Sequence, residues 1–142
     1  MVSAKTAIKR KKLSVPMRRL LDDNRLIGRC LDYGCGHGFD CDHLEMVGYD
    51  PYYRPLIPNG YFDTITCNYV LNVIESPQER EFVLGAIPLF LKENGKAYIS
   101  VRNDLTNLNS YTKIGTWQGK IELDLPIVYK CNGFVTYLLE KK

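Results

Sequence analysis

The stretch that most constrains this chain is Leu31-Asp32-Tyr33-Gly34-Cys35-Gly36-His37-Gly38, followed by Asp50 at the end of the next apolar run. Residues 29–33 read as a short strand that runs into a glycine turn. Residues 39–46 read as one or two helical turns, and residues 47–50 as a second strand closed by Pro51. A strand, a glycine loop, a helix and a strand ending in an acid follow one another as in a nucleotide-binding α/β sheet. Glycines after the first strand permit a tight turn and let backbone approach a ligand. Asp50 is placed to accept from both ribose hydroxyls of an adenosine, although an aspartate before Pro51 also suits a plain turn.

The pattern also discriminates between nucleotides. Dinucleotide folds favour G-x-G-x-x-G, where a helix N-terminus meets a pyrophosphate, whereas here the spacing is G-x-G-x-G and Phe39 stands where the third glycine belongs. Asp32 sits at the strand end, and a carboxylate there repels a pyrophosphate but attracts an ammonium group. Adenosine joined to an amino acid, as in S-adenosylmethionine, fits better than a dinucleotide.

The rest of the chain continues the alternation. A short helix is expected over residues 17–26, with Pro16 at its start and Leu20 and Leu21 available for burial. Residues 52–60 hold Pro55, Pro58 and Asn59-Gly60 and read as a loop. Phe62 to Cys67 is a third strand, rich in β-branched and aromatic side chains. Ser76-Pro77-Gln78-Glu79 has the spacing of a capping box with proline at the first helical position. Phe82, Ala86, Leu89 and Phe90 then form an apolar stripe, with Pro88 expected to bend the helix or begin its last turn and Asn94-Gly95 to end it. Residues 96–101 read as a strand, and Ile127 to Tyr129 with Phe134 to Leu139, joined through Asn132-Gly133, as a C-terminal antiparallel hairpin.

Length and composition set outer bounds. At 142 residues, with 45% hydrophobic and 25% charged side chains, the chain reads as one globular domain, residues 1–142. The longest apolar run, residues 82–91, is half of what a membrane span needs, about 20 residues. The basic N-terminus has no apolar segment behind it, so a cytoplasmic location is expected rather than export. Five cysteines (Cys30, Cys35, Cys41, Cys67, Cys131) and no C-x-x-C pair favour free thiols. A repeated C-x-H unit, Cys35-Gly-His37 and Cys41-Asp-His43, has zinc-ligand chemistry. The glycine loop explains its first half better, and no metal is expected. Charge is uneven: residues 1–25 hold eight basic residues against Asp22 and Asp23, while the whole chain is only +3. Lys9, Arg10, Lys11, Lys12, Arg18 and Arg19 therefore form a candidate nucleic-acid contact within a basic arm and helix, residues 1–27. A solvated basic terminus is the bland alternative.

Residues 31–38 resemble the first motif of class I S-adenosylmethionine-dependent methyltransferases. Gly48-Tyr49-Asp50 resembles their second motif, residues 61–65 with Cys67-Asn68-Tyr69-Val70-Leu71 their fourth, and residues 91–100 their fifth strand. The N-terminal Thr6-Ala7-Ile8-Lys9-Arg10 and Ser14-Val15-Pro16 are also similar to methyltransferases associated with DNA phosphorothioation. The resemblance implies a Rossmann-like α/β sheet, mostly parallel with a C-terminal antiparallel hairpin. Only eleven residues, 51–61, separate Asp50 from Phe62, so the family's usual third strand is expected to be missing. The implied cofactor is S-adenosyl-L-methionine, with S-adenosyl-L-homocysteine as product. Its binding residues would be Asp32, Tyr33, Gly34, Cys35, Gly36 and Gly38 at the methionine end, Asp50, Pro51 and Tyr52 at the ribose and adenine, and Asn68. Asn68, Tyr69 and His37 would line the transfer site, with His37 as a general base if the acceptor arrives protonated; a solvent-facing loop histidine, a turn or helix cap at Asn68 and a core position for Tyr69 are the plain alternatives.

The acceptor is left open at this level. Asn68-Tyr69-Val70-Leu71 lacks the prolines of amino-methylating DNA enzymes, and no Pro-Cys nucleophile exists for carbon-5 methylation of cytosine. The basic arm leans toward nucleic acid or another phosphate-bearing substrate. A small-molecule methyltransferase and a non-enzymatic binding or regulatory module are the alternatives.

Overall fold

The computed structural model describes residues 10–104, 110–111 and 117–142. Lys9 and the Thr6-Ala7-Ile8 segment lie outside the described residues. Strands β1 (Cys30–Tyr33), β2 (Val47–Tyr49), β3 (Phe62–Asn68) and β4 (Leu91–Arg102) pair in parallel, in the order β2-β1-β3-β4. Two two-residue strands, β5 (Ser110–Tyr111) and β6 (Trp117–Gln118), form a separate antiparallel pair. Strands β7 (Ile127–Lys130) and β8 (Phe134–Glu140) close the main sheet, with β8 antiparallel between β4 and β7. This is the sheet expected from the sequence. Residues 51–61 contribute no strand, so β2 is an edge.

The parallel strands change direction of growth at β1, which has β2 on one side and β3 on the other. In open α/β sheets the ligand crevice opens beyond the carboxyl ends of the strands at such a switch point. The loops that follow β1 and β3 are therefore brought together there.

Period-two alternation assigns the two faces of the sheet. Leu31 and Tyr33 of β1, Ile65 and Cys67 of β3, and Ala97, Ile99 and Val101 of β4 pack in one core with Val83, Ile87 and Leu91. Helix α3 (Pro77–Ala86) covers this face. Ser76 caps it as expected, its hydroxyl accepting from the Glu79 N–H at 3.2 Å. The expected stripe is corrected, because Phe82 and Leu89 are each 70% exposed and the buried residues are Val83 and Ile87. Pro88 lies in a 3-10 turn over Ile87–Phe90, which rotates the chain off the α-helical stripe. Asn94-Gly95 does not end that helix but lies inside β4, where Asn94 takes a φ of 64° and the register to β3 slips.

The opposite face carries helix α1 (Val15–Asp22), which starts two residues earlier and ends four earlier than expected. Met17 and Leu20 are fully buried against it, while Leu21 faces solvent at 37%. Leu20 joins Tyr98, Tyr129 and Phe134 in a second apolar cluster. Toward the carboxyl end this face turns polar: Asp32 pairs in register with Thr66, and Ser100 with Thr136, whose hydroxyls meet at 2.7 Å. Among the described residues no helix is long and apolar enough to cross a membrane.

Candidate active site

The turn after β1 is shaped by positions where a side chain cannot sit. Gly34 has a φ of 83°, and a methyl there would run into Val70. Gly38, at a φ of 90°, starts the five-residue helix α2 (Phe39–His43), and a methyl there would meet the Arg54 guanidinium. Both conformations are costly for any residue with a Cβ. Four of the loop's N–H groups are already committed. Gly34 and Cys35 donate to the Tyr49 carbonyl at 2.7 and 2.9 Å, Gly36 to Asp50 Oδ2 at 2.9 Å, and Gly38 to the Cys35 carbonyl at 3.0 Å.

A cavity of about 550 Å³ opens at the switch point. Its walls include Asp32, Gly34, Cys35, Gly36 and His37 from the first loop and Asn68, Tyr69 and Val70 from the end of β3. Asp32 is 5% exposed and accepts from Thr66 Oγ1 at 2.9 Å. Burial pushes its carboxyl up from 3.8 to about 7, opposed by the Thr66 hydrogen bond and reinforced by Asp40 and Asp50. Asn68 places its Nδ2 3.9 Å from Met17 Sδ, and its buried Oδ1 has no partner among the described residues. Tyr69 is held at a φ of 61° with its N–H donating to the Ser100 carbonyl at 2.8 Å. Left-handed backbone at a tyrosine is rare and costly, and such strain clusters at functional loops. Burial raises the Tyr69 hydroxyl.

Five expected binding residues lie off the cavity wall. Tyr33 is buried in the apolar core, its ring 5.1 Å from Tyr49 and 6.4 Å from Phe90. Gly38 is turned toward Arg54. Asp50 is 4% exposed, and besides Gly36 it accepts from the Tyr52 and Tyr53 N–H groups on Oδ1 at 2.9 and 3.0 Å. A carboxylate has about four lone-pair sites, so this one has room for a single ribose hydroxyl rather than both. The turn alternative for Asp50 is thus present in the structure. Pro51 and Tyr52 follow in that turn, with Tyr52 edge-on to Tyr53 at 4.8 Å. His37 does reach the cavity, but its ring packs on Tyr53 at 4.1 Å, on the β2 side.

The cavity also draws in residues from far along the chain. Asp40 is buried and accepts from both the N–H and the hydroxyl of Ser14, at 3.1 and 2.7 Å, which ties the start of α1 to α2. Asn72, 1% exposed, donates to Gln118 Oε1 at 3.0 Å, and its Oδ1 has no partner among the described residues. Asn103 donates to the Cys131 carbonyl at 2.7 Å and accepts from the Gly133 N–H at 2.9 Å, so the β7–β8 turn is held at the rim. Arg102 at this rim is paired with Asp104 at 2.9 Å.

All five cysteines are free. The Cys35 and Cys41 thiols act on each other, which with Arg54 nearby lowers the Cys41 thiol and raises that of Cys35, whose Sγ donates to the Gly36 carbonyl at 3.7 Å. Among the described residues no group of three His, Cys, Asp or Glu side chains is gathered tightly enough for a metal ion. Of the basic arm, Lys11 and Lys12 are exposed, Arg18 pairs with Asp22 and Arg19 with Asp23, and Arg10 lines the cavity.

Comparison with known proteins decides the family. A family model described as a methyltransferase domain matches residues 7–122, most of the chain. The chain belongs to that family. Solved methyltransferases share the fold of this family member at low identity. The N-methyltransferase NodS from Bradyrhizobium japonicum WM9, crystallised with S-adenosyl-L-homocysteine, aligns at a TM-score of 0.56 and 12% identity over 89% of this chain and 84% of that one. A second NodS crystal structure gives a TM-score of 0.54 at 12% identity, over 90% and 98% of the two chains. An S-adenosylmethionine-dependent methyltransferase from Clostridium acetobutylicum ATCC 824 aligns at 0.45 and 17% identity, over 89% and 70%. No curated protein matches this methyltransferase. The fold is that of the class I S-adenosylmethionine-dependent methyltransferases.

Proposed function

We propose that this methyltransferase uses S-adenosylmethionine and delivers its methyl group to a phosphate-bearing acceptor that enters beside Asn68 and Tyr69. The observation that carries the cofactor reading is the pairing of a buried acid with a loop four of whose amides are spent. A pyrophosphate needs free N–H groups, yet Gly34, Cys35, Gly36 and Gly38 have all donated theirs within the protein. Asp32, on the cavity wall beside that loop, suits an ammonium.

Asp32 and residues 34–36 would hold the methionine end, and the Asp50–Tyr53 turn would hold the ribose with its one open acceptor site. When bound, the sulfonium supplies a methyl group already activated for in-line displacement. The chain then has to bring a nucleophile close and in line, which supplies much of the acceleration. Asn68, Tyr69 and Asn72 would orient it, and His37 would take up a proton where the acceptor carries one. The phosphate preference is supported by Lys11 and Lys12, exposed next to a residue that lines the cavity.

Calorimetric titration of the purified chain with S-adenosylmethionine, S-adenosylhomocysteine and NAD tests the reading. Binding of the first two and silence for NAD are expected. Binding of NAD alone, or of none of the three, would refute it.

A further inference from the structure

The sulfurs of Cys35 and Cys41 take no part in methyl transfer. Cys35 stands on the cavity wall between Gly34 and Gly36, and Cys41 is fully buried on α2. Strand β2 brings them together. A methyl on Gly48 would lie 2.5 Å from Cys41 Sγ and 3.0 Å from Cys35 Sγ, so a glycine there leaves both sulfurs room over the same point of the sheet. Each thiol also donates weakly to a backbone carbonyl, Cys35 to Gly36 at 3.7 Å and Cys41 to Gly38 at 3.3 Å. The Arg54 guanidinium comes within 3.8 Å of Cys41 Sγ. Contact with Cys35 and the Arg54 charge make Cys41 the more acidic thiol of the two.

A thiolate is the nucleophile in thiol oxidation, and a second thiol within reach turns the oxidised sulfur into a disulfide before it is oxidised further. Cys35 is open to a small oxidant through the cavity, and Cys41 beside it can hold the proton that Cys35 gives up. We infer that Cys35 and Cys41 form an oxidation site for a peroxide, closing a disulfide that pulls the glycine loop away from the cofactor. Cys35 Sγ attacks one peroxide oxygen as its proton passes to Cys41, and the O–O bond breaks. The hydroxide that leaves takes that proton from Cys41 as water, and Cys35 is left as a sulfenic acid. Cys41 Sγ then attacks Cys35 Sγ; the S–S bond forms, the S–O bond breaks and a second hydroxide leaves. The two sulfurs are oxidised and the peroxide is reduced. A disulfide holds its sulfurs about 2 Å apart, which draws Cys35 back from the wall together with Gly34 and Gly36. That consequence rests on the cofactor proposed above, whereas the disulfide itself does not.

Hydrogen peroxide is added to the reduced chain at rising molar ratio, the remaining thiols are alkylated, and the peptides are mapped by mass spectrometry. A link between Cys35 and Cys41 is expected ahead of oxidation at Cys30, Cys67 or Cys131, and dithiothreitol is expected to reverse it. Cys41→Ser is expected to form no link and to hold Cys35 as a sulfenic acid that dimedone labels. Calorimetry with S-adenosylhomocysteine then compares linked, re-reduced and Cys41→Ser chains, with melting temperatures as a check on folding. The linked chain is expected to bind about tenfold or more weaker, the worth of one hydrogen bond to a charged group. Reduction is expected to restore the affinity, and reduced Cys41→Ser to bind as the parent does. Cys35 and Cys41 both alkylated while other cysteines oxidise would overturn the site. A link that leaves the affinity unchanged, or that abolishes the cooperative melt, would overturn its action on the glycine loop. A link formed in a chain that has no affinity for S-adenosylhomocysteine even when reduced would refute the cofactor reading and leave the oxidation site standing.

Discussion

Replacing Asp32 by asparagine keeps the shape of the side chain and removes the charge that burial disfavours. The carboxyl rises from 3.8 in the unfolded chain to about 7 in the folded one. The folded state holds this proton more tightly, so folding is favoured at low pH and loses stability as pH climbs from 3.8 through about 7. Integrated over that window, ionised Asp32 costs about half a kcal/mol at pH 4 and about 4 kcal/mol at pH 8. Asparagine carries no such cost, and Thr66 Oγ1 can still donate to its carbonyl. At roughly 3 °C per kcal/mol for a domain of this size, Asp32→Asn is expected to melt roughly 10 °C above the parent at pH 8 and nearly level with it at pH 4. Scanning calorimetry of both chains across pH, without ligand, reads that difference, and the other titrating groups cancel in it. A gap that is the same at pH 4 and pH 8 would refute the reasoning. The price of the stabler variant is the lost ammonium contact, a trade of stability for function.

Other expectations follow from single contacts. Asp40→Ala leaves the Ser14 N–H and hydroxyl without their acceptor and is expected to cost about 2–4 kcal/mol, with faster amide exchange over residues 14–20 by mass spectrometry; unchanged exchange there would count against the tie. Asn72→Leu keeps volume but removes the amide from the acceptor side. Its kcat/KM is expected to fall about tenfold or more with cofactor affinity unchanged, and an equal loss of cofactor affinity would place Asn72 elsewhere. Lys11→Glu with Lys12→Glu is expected to lower the salt slope of DNA or RNA binding by about two, and a slope that does not move would argue against phosphate contact by the arm.

The parts of this molecule that local chemistry dictates were legible in the sequence. Gly34 and Gly38 have to be glycine because of their left-handed backbone, and Pro77 and Ser76 announce a helix start whatever lies around them. The missing strand after β2 follows from simple chain length between Asp50 and Phe62. What escaped was set by distant partners. Ser14 and Asp40 are 26 residues apart, and Asn72 and Gln118 are 46 apart; neither pair leaves a local signal, though Asn72 stands just past the end of β3, close to Asn68. Phe82 and Leu89 fit a helical stripe, but the face that meets the core is carried by the i,i+4 pair Val83 and Ile87, one position round the helix from Phe82, and the 3-10 turn at Pro88 carries Leu89 out to solvent. Asp50 was ambiguous in the sequence for a physical reason, since the same carboxylate suits ribose hydroxyls and a turn's amides.

The central claim is that Asp32 and the glycine loop receive the methionine end of S-adenosylmethionine. A crystal structure of the chain with S-adenosylhomocysteine tests it most directly. The account predicts the ligand's amino nitrogen within about 3 Å of an Asp32 oxygen, its chain lying over residues 34–36. Ligand bound with its amino acid turned away from Asp32, or a cavity empty at saturating ligand, would contradict it.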